Sequence, residues 1–576
     1  MHFGAIAGAA GWDCSWAVAA QWNTRRCGWS APFATPNSQM KGGQRMSTSR
    51  VAREDRRVWL FLLIPMSAII TASAYYLFEH VFYVRPDMNM AGYGVFLAPR
   101  FLGVMNDLPS GVFTEWFELL WVLPTLMLVV SFACWLGVER GLSFRRFSWV
   151  LYVLTLLVAL LFLFLTPHGL LHISMQTQSI NNGIWSAFET LRNTPAFNDV
   201  GVVAKARYIF QVLGSNQAGY TIPGTTHPPG LFLVMYAILD TAKLISNRLG
   251  GDSQTLAATW GVLVTVINAL LVPVTMSLAK EAYSEEVGRW TGIFMLTIPS
   301  VCIHFAAIGD GIASLFLATA MLFMVYAVKL DFDECSNHAL VRSMGCGLGA
   351  GLFLTLAAQM TYGHAFPILA LVLTFYFVKR RSNLRSLSAV TLGLAIPAVL
   401  YFVFEYWISS GTSFWVVRAL AITNLVGTGL DVVRPYPLVQ VANFVVMSVM
   451  GGLLFLPVLI YISFEVIRNA ANWWRQATPD MASETAVRRF LFIATFLMLL
   501  LLLTQTTVRL EVERTWHWFF IPAWSLMGIF ILSTRTVAKR LFPGASEKVL
   551  LWVPLVLCGG QLMVTILLAM SIQDYY

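Results

Sequence analysis

Charged residues are scarce in this sequence of 576 residues, and their scarcity excludes a soluble globular protein. Asp, Glu, Lys and Arg make up only 12% of the chain, whereas soluble domains carry about 25%. The hydrophobic fraction is 57% and the mean hydropathy is +0.68. Because a spanning helix needs about 20 apolar residues and the chain has many such runs, the sequence predicts an all-α, polytopic integral membrane protein.

Acidic residues are scarcer than basic ones, with 29 Asp and Glu against 38 Lys and Arg, which gives a formal net charge of +9. In a membrane protein such an excess first marks the loops that stay in the cytoplasm. It therefore does not indicate a nucleic-acid partner.

Paired cysteines and internal repeats are also missing. The seven cysteines include no CxxC pair, so neither a disulfide framework, a zinc site nor a redox motif is indicated. The absence of a visible repeat argues against a transporter built from two duplicated halves.

The first 45 residues lack the apolar core of about 7–15 residues that a secretory signal peptide needs. Lys41-Gly42-Gly43 precedes Met46, and its purine-rich codons would resemble a bacterial ribosome-binding site. We therefore expect translation to start at Met46 and residues 1–45 to be a non-native or disordered extension.

The apolar runs of the remaining chain predict about thirteen membrane spans. They lie near Val58–Phe78, Leu119–Val138, Trp149–Thr166, Ala257–Leu278, Trp290–Ala306, Gly311–Leu330, Met344–Ala358, Ala365–Val378, Leu387–Tyr406, Val439–Ile467, Phe490–Leu503, Trp516–Leu532 and Val549–Met570. We accordingly divide the chain into two N-terminal spans (46–148), a core (149–330) with a long external loop (167–256), and the C-terminal spans (331–576).

Basic residues beside the spans predict the topology. Arg53, Arg56 and Arg57 precede the first span, and Lys379–Arg381 follows the eighth. By the positive-inside rule both segments are cytoplasmic, which places the C-terminus outside the plasma (inner) membrane. An odd number of spans must then separate the external loop from Lys379–Arg381. The run Leu231–Leu239 is too short to span, so we expect it to be an interfacial or re-entrant helix.

A stiff segment, Thr225-Thr226-His227-Pro228-Pro229-Gly230, ends the long polar loop. Two prolines fix the backbone and remove two N–H donors. A histidine held there, at the start of an apolar run, is placed to bind an anionic headgroup. The alternative is that the prolines only end a loop and begin a helix.

Three charged groups fall on the predicted external side together with His227, where ionisable residues are functional candidates. Asp199 opens a short helical stretch that contains Arg207, and it could act only as a helix cap. Asp310 lies between two glycines and could act only in a turn. The alternating charges of Arg509–Trp518, which include Glu513 and Arg514, could form a solvated loop with interfacial tryptophans.

The order of these residues resembles the GT-C superfamily of membrane glycosyltransferases, in particular the branch of protein O-mannosyltransferases and lipid A aminoarabinose transferases. Asp199, Ala204, Arg207 and His227-Pro228-Pro229 match the first external loop of that branch in order, and Asp310 matches an acid that opens a later span. The resemblance covers roughly residues 149–330, with Glu513-Arg514 as a further anchor.

The sequence departs from the family pattern at several points. Gly230 replaces the usual leucine, Asp199 is followed by Val200 instead of a second acid, and two extra spans precede the loop. Asp87 is a competing first-loop acid, but no Pro-Pro pair follows it.

The resemblance implies transfer of a sugar from a polyprenyl-phosphate donor in the membrane lipid, with inversion, to a lipid, glycan or protein acceptor. Asp199 would be the general base and Asp310 would orient acceptor or donor. We assign His227 and Arg514 to the donor phosphate, with Arg207 and Glu513 as further substrate-binding residues. No cofactor is certain. A divalent metal is compatible with this chemistry but not required.

Two other classes of protein remain open. A flippase for lipid-linked saccharides or a secondary transporter would scatter charges through the span centres, whereas here the charges gather on the external side. A non-catalytic membrane scaffold would leave the polar loop unexplained.

Overall fold

Helices make up the regular structure that a computed structural model gives for this chain, and the described residues contain no strand. The described residues are 112–164, 203–208, 229–249, 251, 253–302, 310–330, 337–361, 364–380, 382–409, 448, 450–475, 483–504 and 517–571.

We number the helices in chain order, apart from a short helix at residues 203–208. They are α1 (Val112–Cys134, followed by a π-helical turn at Trp135–Glu139), α2 (Phe144–Phe164), α3 (Pro229–Leu249), α4 (Ser253–Asn268), α5 (Leu271–Ala282), α6 (Glu285–Met295), α7 (Pro299–Cys302), α8 (Asp310–Lys329), α9 (Asn337–Met360), α10 (Ala365–Lys379), α11 (Leu384–Ile408), α12 (Phe455–Arg475), α13 (Ser483–Thr504), α14 (His517–Leu541) and α15 (Glu547–Ser571).

Eight stretches within the described ranges are long and apolar enough to cross a membrane. They are Trp121–Glu139, Phe144–Phe162, Thr255–Ala282, Gly311–Lys329, Asn337–Met360, Leu384–Ile408, Ile521–Leu541 and Val549–Ile566. Each coincides with a span predicted from the sequence, and the chain is an all-α, multi-pass membrane protein. The predicted span Val58–Phe78 lies outside the described residues.

One predicted span, Trp290–Ala306, is broken. Helix α6 ends at Met295, and the four-residue helix α7 begins at Pro299. The helical conformation is disfavoured for the residue before a proline, so the chain leaves the helix ahead of Pro299. The described part of this segment therefore is not one continuous helix.

Two other predicted spans are helical but are not among the eight. Helix α10 covers Ala365–Val378 and is only 15 residues long. Helix α13 contains Phe490–Leu503, but it begins at Ser483 and carries charged residues in its first two turns. Helices α10 and α13 pack against each other in the bundle.

The predicted span Val439–Ile467 also has different bounds. Helix α12 begins at Phe455, after Gly452 with a φ of 98°, and continues to Arg475. A φ in that range favours glycine, so Gly452 allows the turn into the helix. Residues 439–447 lie outside the described part of the chain.

The run after His227 forms a longer helix than the sequence predicts. Helix α3 has 21 residues and continues through Asp240 and Lys243 to Leu249. It is not among the eight candidate spans. The prediction that it lies at the membrane interface stays a prediction.

Helices α9 and α11 cross at close range through glycines. A Cβ on Gly347 would lie 2.4 Å from the Val390 carbonyl oxygen, and one on Gly351 would lie 2.5 Å from that of Leu394. Gly393 faces α9 in the same way. Small residues at such crossings let membrane helices pack backbone to backbone.

Candidate active site

The helices that follow His227 and Asp310 meet in one hydrophobic cluster. Leu231 and Met235 of α3 pack there with Ile312 of α8 and Met360 of α9, and all four are buried. We call this group, together with Trp260 of α4, the α3–α8 cluster. Asp310 is the first residue of α8, and His227 lies two residues before α3. Leu231 and Ile312, which lie in the first turns of α3 and α8, therefore belong to one buried cluster.

The first turn of α3 lies directly against the last turn of α9. A Cβ on Gly230 would lie 2.4 Å from the Gln359 Cβ and 2.8 Å from the Gln359 carbonyl oxygen. No larger residue fits without a shift of backbone. This contact gives a physical reason for glycine at the position where the resembling family has leucine.

The first turn of α8 is equally close to α4. A Cβ on Gly311 would lie 2.5 Å from the Asn268 side-chain carbon. Asn268 is fully buried at the end of α4. The Asn268 amide thus lies against Gly311, the residue that follows Asp310 at the start of the span.

The short helix at 203–208, which follows Asp199, packs onto the same region. Ala206 is buried against Ile408 of α11 and Leu233 of α3. Tyr208 packs against the α3–α8 cluster. The segment next to Asp199 is therefore attached to the helix that follows His227.

Lys205 links this short helix to α3. Its Nζ donates a hydrogen bond to the Tyr236 hydroxyl at 3.3 Å and lies 3.8 Å from Asp240 Oδ2. Burial, and then the nearby Asp240 carboxylate, raise the pKa of Tyr236 above its usual value. Tyr236 therefore stays a neutral hydroxyl at physiological pH.

Arg207, the predicted substrate-binding residue in this helix, is exposed. Its guanidinium carbon lies 5.9 Å from the ring centroid of Trp407 at the end of α11. Trp407 is itself 57% exposed. The cation is therefore held near the end of a span by an aromatic ring and stays accessible.

Sequence reasoning missed a buried acid in α11. Glu405 is 0% exposed and lies within the span Leu384–Ile408. It is three residues before Ile408, so it shares the face of α11 that meets the short helix. An acid inside an otherwise apolar run is a functional candidate by default, and this signal was present in the sequence.

A buried histidine between α9 and α10 was missed as well. His364 is 1% exposed, and its Nδ1 lies 2.9 Å from the Ala357 carbonyl oxygen. Because that oxygen only accepts, Nδ1 carries the proton and Nε2 carries the lone pair. Burial lowers the pKa of His364 to about 4, and the hydrogen bond to Ala357 only partly opposes this. The side chain is therefore neutral at pH 7.

Most of the predicted site residues lie outside the described part of the chain. Asp199, His227, Glu513 and Arg514 are outside it, as is the competing acid Asp87. For Asp310 the structure describes the backbone at the start of α8. Among the predicted residues, the side chain described is that of Arg207.

The segment that carries Glu513 and Arg514 leads into a different part of the core. Helix α14 begins at His517, and its buried residues Ile521 and Trp524 belong to the large central cluster. The Trp524 indole donates to the Gly451 carbonyl at 3.0 Å. The described start of α14 thus does not join the α3–α8 cluster.

The described residues contain no group of three or more His, Cys, Asp or Glu side chains placed to hold a metal ion. A metal site that used Asp199 or His227 would include residues outside this part of the chain.

These features define a multi-pass helical membrane protein in which residues of α3, α8 and α9 share one buried cluster. No protein-family model matches the sequence, and no curated protein matches it.

Several solved structures are similar to the chain. One is an oligosaccharyltransferase from Archaeoglobus fulgidus in complex with zinc and sulfate, at 15% identity and a TM-score of 0.39 over 72% of this chain and 53% of that one. Another is the archaeal oligosaccharyltransferase with an inhibitory peptide and a dolichol-phosphate, at 13% identity and a TM-score of 0.34 over 73% of this chain and 55% of that one. The chain thus spans about half the length of the structures it matches.

Proposed function

We propose that this protein is a membrane glycosyltransferase that moves a sugar from a polyprenyl-phosphate donor to an acceptor hydroxyl. The observation that carries the proposal is the α3–α8 cluster, because it joins the helix after His227 to the helix that begins with Asp310. The short helix after Asp199 packs on the same helices. The acceptor is a lipid, a glycan or a protein.

In this proposal Asp199 takes the proton from the acceptor hydroxyl as its oxygen attacks the anomeric carbon. The bond from that carbon to the phosphate oxygen breaks, and the polyprenyl phosphate leaves with the electron pair. A single displacement inverts the anomeric configuration. Asp310 orients the acceptor or the donor.

The leaving phosphate needs positive groups around it. We assign His227 and Arg514 to this role, with Arg207 and Glu513 as further substrate-binding residues. Leu231 and Ile312, in the first turns of α3 and α8, both belong to the α3–α8 cluster, and the N-terminal end of a helix favours an anion. This arrangement supports an anionic donor group.

The proposed sidedness follows from the basic loops. The N-terminus and Lys379–Arg381 would lie in the cytoplasm, and the site would face the outside of the plasma membrane. A divalent metal bound at Asp199 or Asp310 would assist the departure of the phosphate.

The test is acceptor-dependent release of polyprenyl phosphate. The full chain, purified and reconstituted into liposomes, is given polyprenyl-phosphate sugars with candidate acceptor lipids, glycans or peptides. We expect stoichiometric formation of glycosylated acceptor and free polyprenyl phosphate. Movement of the intact donor between leaflets without its cleavage would identify a flippase instead. If the donor is neither cleaved nor moved between leaflets, the result would favour a non-catalytic scaffold.

A further inference from the structure

A second cationic site lies at the other end of the bundle. Helix α8 runs 20 residues from Asp310 to Lys329, which is about 30 Å. The Lys379 ammonium at the end of α10 donates to the Leu330 carbonyl at 2.9 Å. The adjoining Arg380 therefore lies at the end of the bundle away from the α3–α8 cluster.

Arg380 ties the ends of α10 and α12 together. Its guanidinium carbon lies 4.5 Å from the ring centroids of both Phe377 and Trp474. It donates to the Phe377 carbonyl at 2.9 Å, and to the carbonyls of Trp473 and Trp474. The cation is thus fixed between two aromatic rings.

Arg489 of α13 completes a pair of arginines around these tryptophans. Its guanidinium carbon lies 5.7 Å from the centroid of Trp473. Its Nε is buried and has no hydrogen-bond partner among the described residues, and none of their carboxylates forms an ion pair with it. Burial first, and then the like charge of Arg380, hold the pKa of Arg489 below its usual value. An anion at this point would accept a hydrogen bond from the Arg489 Nε and would offset the two positive charges.

Apolar surface leads from this pair along the outside of the bundle. On α12, Ile460, Phe464 and Ile467 are 39%, 58% and 68% exposed. Their spacing puts them on one face of the helix, and Trp474 lies on that face two turns further on. Helices α10 and α12 both pack against α13, and Leu369 and Leu373 of α10 are also exposed. In a membrane protein such a stripe faces acyl chains.

We propose that Arg489, beside the positive charge of Arg380, binds the phosphate of an anionic phospholipid, whose acyl chain lies along the exposed face of α12. Guanidinium groups bind phosphate oxygens through paired, charge-assisted hydrogen bonds. Tryptophans favour the level of the headgroups, and basic pockets between membrane helices select anionic lipids. The site is separate from the proposed donor site, and its occupancy does not depend on transferase activity.

The test measures lipid binding to the intact chain. The purified full-length protein is titrated in detergent with phosphatidylglycerol or phosphatidylcholine, and bound lipid is counted by native mass spectrometry. We expect a clear preference for phosphatidylglycerol. Arg489→Gln should weaken its binding about tenfold or more, the effect of losing a charge-assisted hydrogen bond. Arg489→Lys should weaken it less, because lysine keeps the charge but loses the fork.

Arg145→Gln is the matched control. Arg145 is an exposed arginine of α2, on the side predicted to be cytoplasmic, so its loss removes the same charge without touching the pair. Equal losses in both Gln variants, or unchanged binding in Arg489→Gln, would overturn the proposal. Competition by millimolar inorganic phosphate would assign the pair to free phosphate instead of lipid. If Arg489→Gln does not elute as a folded protein, Arg489→Lys is compared with Arg145→Lys instead. Weaker phosphatidylglycerol binding in Arg489→Lys alone would support the proposal, and equal binding in the two variants would overturn it.

Discussion

Gly230 at the start of α3 and Gln359 at the end of α9 lie in backbone contact, with room for no Cβ between them. The contact brings the segment after His227 to the end of a membrane span. It also depends on Gly230, the one residue of the segment Thr225–Gly230 that departs from the resembling family. A side chain at this position would push α3 away from α9.

Gly230→Ala should destabilise the protein and lower transfer together. The added Cβ would meet the Gln359 Cβ and carbonyl oxygen at 2.4 and 2.8 Å, and overpacking of this kind costs roughly 1–3 kcal/mol. The measurement is the apparent melting temperature of the purified protein in detergent, alongside turnover.

Gly345→Ala provides the control for this change. A Cβ on Gly345 meets nothing within 4 Å, and the residue lies in α9, so alanine should be neutral or should add up to about 1 kcal/mol through helix propensity. Equal melting temperatures for the two variants would contradict the close contact at Gly230.

His364 should make stability depend on pH. Its pKa falls from 6.5 to about 4 on folding, so between these values the unfolded chain binds more protons. The free energy of unfolding therefore does not depend on His364 above pH 6.5, and it declines as the pH falls from 6.5 towards 4. His364→Asn, which can still donate to the Ala357 carbonyl, should flatten the melting temperature between pH 7 and pH 4.5.

His338→Asn is the corresponding control, because His338 is an exposed histidine of α9. This variant should keep the slope of the unaltered protein. A slope that survives in His364→Asn would place the responsible group elsewhere.

The sequence predicted the membrane helices better than their ends and interruptions. Hydropathy predicted only Leu231–Leu239 as the apolar run of α3, because Asp240 and Lys243 follow it. In the structure the helix continues to Leu249, and Asp240, which lies 3.8 Å from Lys205, has a charged partner. That partner comes from a short helix distant in sequence, which one-dimensional patterns do not reveal.

The buried groups near the site show the same limit. Glu405 stands inside a predicted span and could have been singled out from the sequence, because an intramembrane acid is rare. His364 could not, since its burial depends on how α9 and α10 pack. The break before Pro299 was signalled by the proline itself.

The external position of the loop between α3 and α4 can be tested by labelling. A cysteine at Ser253, the first residue of α4, should react with an impermeant thiol reagent in intact cells. Ser382→Cys, beside the predicted cytoplasmic Arg380, should react only after permeabilisation. Labelling of Ser253→Cys only after permeabilisation would mean that α3 crosses the membrane, which would put Asp310 on the opposite side from His227.

Asp199→Asn should abolish transfer while leaving expression and donor binding intact. A general base contributes roughly 10²–10⁴-fold to the rate, whereas loss of a helix cap costs only about 1 kcal/mol of stability. The measurement is acceptor-dependent turnover. Asp240→Asn, which removes the carboxylate beside Lys205, should cost far less. Near-normal turnover in Asp199→Asn would return the residue to a capping role, and the same loss at Asp87 would favour the competing acid.

His227 and Arg514 should behave as a coupled pair if both contact the donor phosphate. Each alanine substitution should weaken donor binding by about 1.5–3 kcal/mol, the contribution of a charge-assisted hydrogen bond. The double variant should deviate from the sum by about 0.5–3 kcal/mol, because the two side chains share one group. Arg514→Lys should restore binding only in part, since lysine lacks the bidentate fork.

Donor affinities of the two single variants and the double variant, measured in detergent, test this coupling. Helix α14, which follows Arg514, packs against α8, the helix that begins with Asp310. The affinities decide whether Arg514 reaches the donor phosphate. Strict additivity, or unchanged affinity in Arg514→Ala, would show that it does not. The donor site would then consist of Asp199, His227 and Asp310.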